Sequence, residues 1–220
     1  MEDLIHKGNY VPINRDFLLE GHSILQEVST VQEKYGKGDT DTFINELRDS
    51  MAGHYLGYRL VNTEKHGFDC KLSANDEIFL EVKSASFVAS TWGATFNDTN
   101  HEKAQCFMRD NVFLCLAVWK NASDLLFIVY GQNKKIGEWL DQKVSKFLSG
   151  KGGVRSTQSI SMYQLVFDYG FDVICVNKTK DEVRQILSLK SLRFANIPAE
   201  QILTLNEYRQ KYKHLPLNYY

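Results

Sequence analysis

The residues with the most chemistry lie in one short stretch. It runs Gly67-Phe68-Asp69-Cys70-Lys71-Leu72, passes a turn-like Ser73-Ala74-Asn75-Asp76, and continues as Glu77-Ile78-Phe79-Leu80-Glu81-Val82-Lys83. In a strand, alternate side chains share a face. Ile78, Leu80 and Val82 then point one way, and Phe79, Glu81 and Lys83 the other. Burying the first set stands an acid and a lysine side by side on the opposite face. With Ala74-Asn75-Asp76 as the loop of a hairpin, Asp69 sits directly across from Glu81, Cβ atoms about 4.5–5.5 Å apart. Two facing carboxylates repel, and a divalent cation between them removes the repulsion. Hard oxygen ligands favour Mg²⁺, which keeps several waters and accepts one or two carboxylates plus a substrate phosphate. Lys83 reaches toward the same spot, where an ammonium lowers the pKa of a metal-held water or stabilises charge building on a phosphate. Two acids, a metal and a lysine on one rigid surface are parts for hydrolysing a phosphodiester.

The pattern acid-x-Lys is short and occurs three times, at Asp69-Cys70-Lys71, Glu81-Val82-Lys83 and Asp141-Gln142-Lys143. The third falls on a helical stretch, where acid and lysine point apart. The first lacks an apolar strand around it. Only the second combines alternation, an upstream acid in register and flanking elements of the right kind. The competing reading is a surface hairpin with an ordinary charged face.

Asp69, eleven residues, then Glu81-Val82-Lys83, preceded by an amphipathic helix and followed by a helix and two apolar strands, resembles the PD-(D/E)xK nuclease superfamily over roughly residues 40–130. The resemblance implies a central mixed sheet flanked by helices (α/β/α) and Mg²⁺-dependent DNA cleavage. It implies Asp69 and Glu81 as metal-binding carboxylates, Val82, between Glu81 and Lys83, as a further metal contact, and Lys83 as the lysine. Members often add an acid from the preceding helix, and Glu46, at the margin of the apolar stripe, is the match. Phe68 stands where the motif's name has proline.

The elements that must position these residues can be read from periodicity. Phe17, Leu18, Leu19, Ile24, Leu25 and Val28 suggest helical stretches packing on a core, and Tyr35-Gly36-Lys37-Gly38 a break. A helix starting near Asp39 or Thr40 carries Phe43, Leu47, Met51 and Tyr55 on one face. Strands are expected at Tyr58–Val61, Gly67–Leu72 and Glu77–Phe87, and a plain polar connection over 84–100. A helix over His101–Arg109 precedes Val112–Trp119 and Leu125–Tyr130, apolar runs of the kind found in central buried strands. An amphipathic helix over 134–148, strands at Tyr163–Phe167 and Asp172–Val176, a helix over Lys180–Ser188 and a helical end over 197–213 complete a mixed α/β domain.

The segment leaving the lysine strand, Ser84 through Trp92 and Asn97 to Asn100, offers Ser84, Trp92 and Asn97 as DNA contacts, with Lys103 opening the next helix; the competing reading is a plain connection with Trp92 as a packing anchor. Residues 134–155 hold six basic residues against Glu138 and Asp141 and lead into Ser156-Thr157-Gln158-Ser159. Arg and Gln suit paired hydrogen bonds to guanine and adenine edges, so Lys151, Arg155 and Gln158 are the candidate base-reading residues. Charge runs are more often solvated faces.

The rest of the composition sets bounds. With 220 residues, net charge -1 and 43% hydrophobic residues, the chain reads as one globular domain over 1–220, with the catalytic core at about 40–130 and DNA-reading and dimerisation elements at 131–220. The balance rules out a strongly basic protein, although a near-neutral chain can still carry a basic groove. Cys70, Cys106, Cys115 and Cys175 form no C-x-x-C pair and read as buried apolar residues of a reducing compartment. Gly150-Lys151-Gly152-Gly153 lacks the Ser or Thr and the earlier glycine of a phosphate loop, so no nucleotide cofactor is expected. The longest apolar run, Val112–Trp119, is too short for a membrane helix, and Met1-Glu2-Asp3-Leu4 opens no secretory signal. The expectation is therefore a cytoplasmic type II restriction endonuclease of a bacterial or archaeal cell, cutting double-stranded DNA as a homodimer with Mg²⁺. A repair, junction-resolving or mobile-element endonuclease and a non-catalytic DNA-binding module on the same scaffold are the alternatives.

Overall fold

The computed structural model describes residues 9–10, 15–35, 42–62, 68–97, 99–150 and 157–215. In chain order the elements are β1 (Asn9–Tyr10), α1 (Arg15–Tyr35), α2 (Thr42–Tyr55), β2 (Tyr58–Asn62), β3 (Cys70–Leu72), β4 (Asn75–Ser86), β5 (Gly93–Phe96) and α3 (His101–Phe107). Then come β6 (Val112–Trp119), β7 (Leu125–Gly131), α4 (Lys135–Leu148), β8 (Gln158–Ser161), β9 (Asp172–Cys175), α5 (Lys180–Lys190), β10 (Ile202–Thr204) and α6 (Leu205–Lys211). A π-helical turn (Gln164–Asp168) and 3₁₀ turns at Leu192–Asn196 and Ala199–Gln201 fill the connections.

Eight strands form one sheet in the order β1-β2-β3-β4-β6-β7-β9-β10, and β5 pairs β8 in a separate two-stranded ribbon. The sheet is mixed. β4 runs parallel to β6 and β10 to β9, and the other neighbours are antiparallel. Every residue of β6 and β7 is buried, as a strand covered on both faces requires. Alternation along the central strands divides the core in two. Phe79, Leu114, Leu116 and Val129 face α3, α4, α5 and the ribbon, whereas Leu80, Val82, Cys115 and Ile128 face α1, α2 and α6. The architecture is thus α/β with a mixed sheet between two helical layers. Removing one of these leucines to Ala would cost about 2–5 kcal/mol. Among the described residues no helix is long and apolar enough to cross a membrane.

Several expected elements differ. The expected strand at Tyr163–Phe167 is a π-helical turn, and the strand lies earlier, at Gln158–Ser161, because its partner β5 forms inside the segment read as a plain connection. The segment 197–213, expected to be helical throughout, begins with a 3₁₀ turn and then β10, and only Leu205–Lys211 is α-helical. Apolar Ile202 and Leu203 are spent at the sheet edge beside Val173 and Ile174. A capping box on Thr204 with Glu207 starts the helix there. The helix containing Leu47 and Met51 is present as α2, but Asp39 and Thr40, the expected caps, and Gly36 to Gly38, the expected break, lie outside the described residues. All four cysteines are buried and none forms a disulfide, as their apolar surroundings suggested.

Candidate active site

The β3–β4 hairpin carries Asp69 and Glu81 in the expected register by a different route. The turn is Ser73-Ala74 alone, because Leu72 pairs with Asn75 and the ladder shifts between Lys71 and Leu72. The bulge absorbs three residues of β4. Beyond it Lys71 faces Phe79 and Cys70 faces Leu80, so the next position, Asp69, lies opposite Glu81. There β3 ends, and the Val82 amide donates to Asp69 Oδ2 at 2.7 Å. Val82 thus takes part through an N–H that holds a carboxylate, and its carbonyl, the only group on Val82 with lone pairs, is the one through which the expected metal contact would be made.

Glu81 is 1% exposed and packs under the α3 side of the sheet. Its Oε1 accepts from Lys83 Nζ at 2.7 Å and from Lys103 Nζ at 2.6 Å. Its Oε2 is buried with no hydrogen-bond partner among the described residues. Lys83 lies against the Phe96 ring of β5, 5.8 Å from its centroid. Lys103 comes from the first turn of α3, where the Asn100 side chain accepts from the Lys103 amide at 2.8 Å. His101 at the head of that helix meets Asp141 of α4 at 2.6 Å, which ties α3 to the layer beside it.

A third carboxylate joins from α2, and it is Asp49. Its Oδ1 accepts from Ser84 Oγ at 3.3 Å, and it stands within electrostatic reach of Asp69, Lys83 and Glu81. Two contacts set it there. Arg48 donates to the carbonyls of Asn121 at 2.7 Å and Ala122 at 3.2 Å, pinning α2 across the β6–β7 turn. One turn after Asp49, Gly53 packs so closely that a Cβ there would meet Cys70 Sγ at 2.8 Å. The missing side chain lets α2 lie down on β3 beside Asp69. Glu46 belongs to α2, but its side chain lies outside the described residues. Asp49 carried a signal that reading along the apolar stripe passed over: it lies three residues after Glu46, a spacing that keeps side chains neighbours on a helix surface.

Desolvation pushes the Asp49 carboxyl well above its usual range, and the charge of Asp69 adds to it. Asp69 is pushed up to about 6, first by desolvation and then by Glu81. Glu81 moves the other way. Burial opposes its charge, but the Lys103 and Lys83 ammoniums outweigh burial and hold it below the ordinary value. Burial would lower Lys83, yet the charges of Glu81 and Asp69 prevail and raise it. The site is therefore an acid cluster with two ammoniums built in, and its carboxylates differ in how readily they ionise.

The oxygen donors of Asp49, Asp69 and Glu81, together with the bare Glu81 Oε2, suit a hard divalent cation in kind. Among the described residues, however, no three acids, histidines or cysteines are gathered as a ready metal cage.

The remaining expected DNA contacts separate. Trp92 is corrected as a DNA contact and is instead the packing anchor of the competing reading. It is 2% exposed, its indole N–H donates to the Phe87 carbonyl at 3.1 Å, and its ring stacks on Phe194 at 5.9 Å between centroids. A buried ring fixed on both faces cannot enter a groove. Ser84 is exposed but spends its hydroxyl on Asp49. Asn97 is exposed at the end of β5, and Gln158, half-buried, pairs with Phe96 at the same end of the ribbon. Lys103 faces Glu81. Lys151 and Arg155 lie outside the described residues. Compared with protein-family models and with curated proteins, the chain matches none of either.

Proposed function

We propose that this chain is a Mg²⁺-dependent double-stranded DNA endonuclease of the type II restriction kind, hydrolysing phosphodiester bonds at the β3–β4 hairpin. The observation that carries the reading is the convergence of Asp69, Glu81 and Lys83, with Asp49 from the preceding helix, at one end of a rigid hairpin. Asp49, Asp69 and Glu81 would hold the ion. When bound, Mg²⁺ would supply an acidified water and neutralise phosphate charge. Asp69 is oriented by the Val82 amide, so its free lone pairs face the site without a search over rotamers. The Lys83 ammonium is fixed beside Glu81 and offsets negative charge that builds on a phosphate. Against its burial, the charges of Glu81 and Asp69 raise its pKa, so the ion-free site holds Lys83 as a cation. The ribbon β5–β8 presents Thr95, Asn97 and Ser159, exposed hydrogen-bonding side chains, next to the strand that carries Lys83. Cutting both strands needs two such sites, which a homodimer on a palindromic sequence provides.

The test is incubation of the full chain with plasmid and linear duplex DNA, with Mg²⁺ or with EDTA. Discrete fragments that require Mg²⁺ support restriction. Structure-dependent nicking of branched DNA would move the assignment to a repair or junction-resolving enzyme, and binding without scission to a non-catalytic module. Lys83→Ala should lower the cleavage rate by about 10²–10³, the usual effect of losing one preorganised electrostatic group. A variant cutting as fast as the parent would overturn the site.

A further inference from the structure

The second lysine gives the site a property that the hairpin alone would not have. Two ammoniums share one oxygen of Glu81, and the other oxygen has no partner among the described residues. A single carboxylate oxygen does not need two cations for hydrogen bonding. What requires them is the surrounding charge, since Asp49, Asp69 and Glu81 lie together in a desolvated corner. The two lysines are placed differently. Lys83 is two residues from Glu81 on the same face of the same strand, so the strand itself keeps it beside the carboxylate. Lys103 arrives from a separate layer on a four-carbon stem. Exposure does not separate them, at 17% for the Lys103 side chain and 22% for Lys83; the difference is that Lys103 is tethered to another element and so is not bound by the strand to stay beside Glu81.

Resting on the metal-dependent reading above, we propose that Lys103 is a displaceable counter-charge: it holds Glu81 in the ion-free protein and must give up that carboxylate when a divalent cation enters. A divalent ion entering at the bare Oε2 brings two further positive charges to a carboxylate that already carries two ammoniums on Oε1, and of these Lys103, held from a separate layer, is the one that yields. The exchange makes Lys103 an opponent of ion binding, the reverse of what a lysine that only contacts DNA would do.

The experiment measures Mn²⁺ binding to the full chain without DNA, by calorimetry and by the electron paramagnetic resonance of free Mn²⁺. Lys103→Met should bind Mn²⁺ roughly tenfold more tightly than the parent, the effect of removing one close like charge in a partly desolvated site. Lys103→Gln, which keeps a neutral hydrogen bond to Glu81 and guards against a folding defect in the first variant, should shift the same way. Lys103→Arg should stay near the parent. The gain should persist at about 0.5 M KCl, because a direct contact is screened far less than a distant field. Unchanged or weaker Mn²⁺ binding in both neutral variants, or a gain that salt abolishes, overturns the exchange and leaves the nuclease reading standing where the parent still cuts DNA. A parent that neither binds Mn²⁺ nor cuts DNA overturns both.

Discussion

Asp69→Asn should make the ion-free protein more stable while removing its activity. Folding moves the Asp69 carboxyl from 3.8 to about 6, chiefly through desolvation and the facing Glu81. Ionising a group so shifted costs the fold about 3 kcal/mol, at 1.36 kcal/mol for each tenfold change in proton affinity. The sign follows from linkage. The folded state holds the proton more tightly than the unfolded chain, so the stability belonging to protonated Asp69 is complete below 3.8 and is lost as pH rises through about 6. Asparagine copies the protonated form and can still accept from the Val82 amide. The variant should therefore gain up to about 3 kcal/mol over the parent at about pH 8, or about 6–12 °C in Tm for a chain of this size. The gain should fall to about half near pH 5 and vanish in stronger acid. Thermal unfolding followed by circular dichroism in EDTA, for both proteins across that pH range, measures it. A variant no more stable than the parent at pH 8, or a gain that does not change with pH, would refute the idea that desolvation and Glu81 strain this carboxylate.

Asp49→Asn should lower Mg²⁺-dependent cleavage by about 10²-fold or more through loss of a carboxylate that a bound cation would draw into its charged form against desolvation. Ser84→Ala, which removes only a 3.3 Å hydrogen bond to that acid, should cost a few-fold; single-turnover rates on plasmid DNA separate the two. Far from the site, Asp172 is fully buried in β9 and joins Lys211 Nζ at 2.7 Å and Tyr212 Oη at 2.8 Å. Asp172→Ala should destabilise the chain by about 2–4 kcal/mol by unpairing both groups and freeing α6 from the sheet. Denaturant unfolding gives the value, and cleavage below the new melting temperature should be unaffected.

The hairpin was legible because its information is local. Period-two alternation over Ile78–Lys83 determines which side chains share a face, whatever the strand packs against, so Glu81 and Lys83 had to stand together. Even the facing of Asp69 and Glu81 survived a wrong turn: the loop is two residues and not three, and a bulge returns the ladder to the same register. Burial of Phe79, Leu80 and Val82 on opposite faces leaves little freedom for a slip of one residue, which would exchange the two faces. The runs Val112–Trp119 and Leu125–Gly131 were legible for the same reason, since an uninterrupted apolar strand has only the centre of a sheet to occupy.

The amino-acid order alone thus determined the lysine-bearing strand, the acid opposite it and the layered mixed sheet. Tertiary structure decided the rest. The Gly53–Cys70 approach and the Arg48 anchor set where α2 comes to rest, and with it that Asp49 reaches the site. Pairing of β5 with β8 across about sixty residues of sequence turned an expected connection into a ribbon and buried Trp92 behind it. Docking of α3 through Asn100 and His101 aimed Lys103 at Glu81. Each of these depends on how a rigid element seats on the sheet, and a shift of a few ångströms there moves a long side chain from one partner to another while leaving every local preference along the chain satisfied.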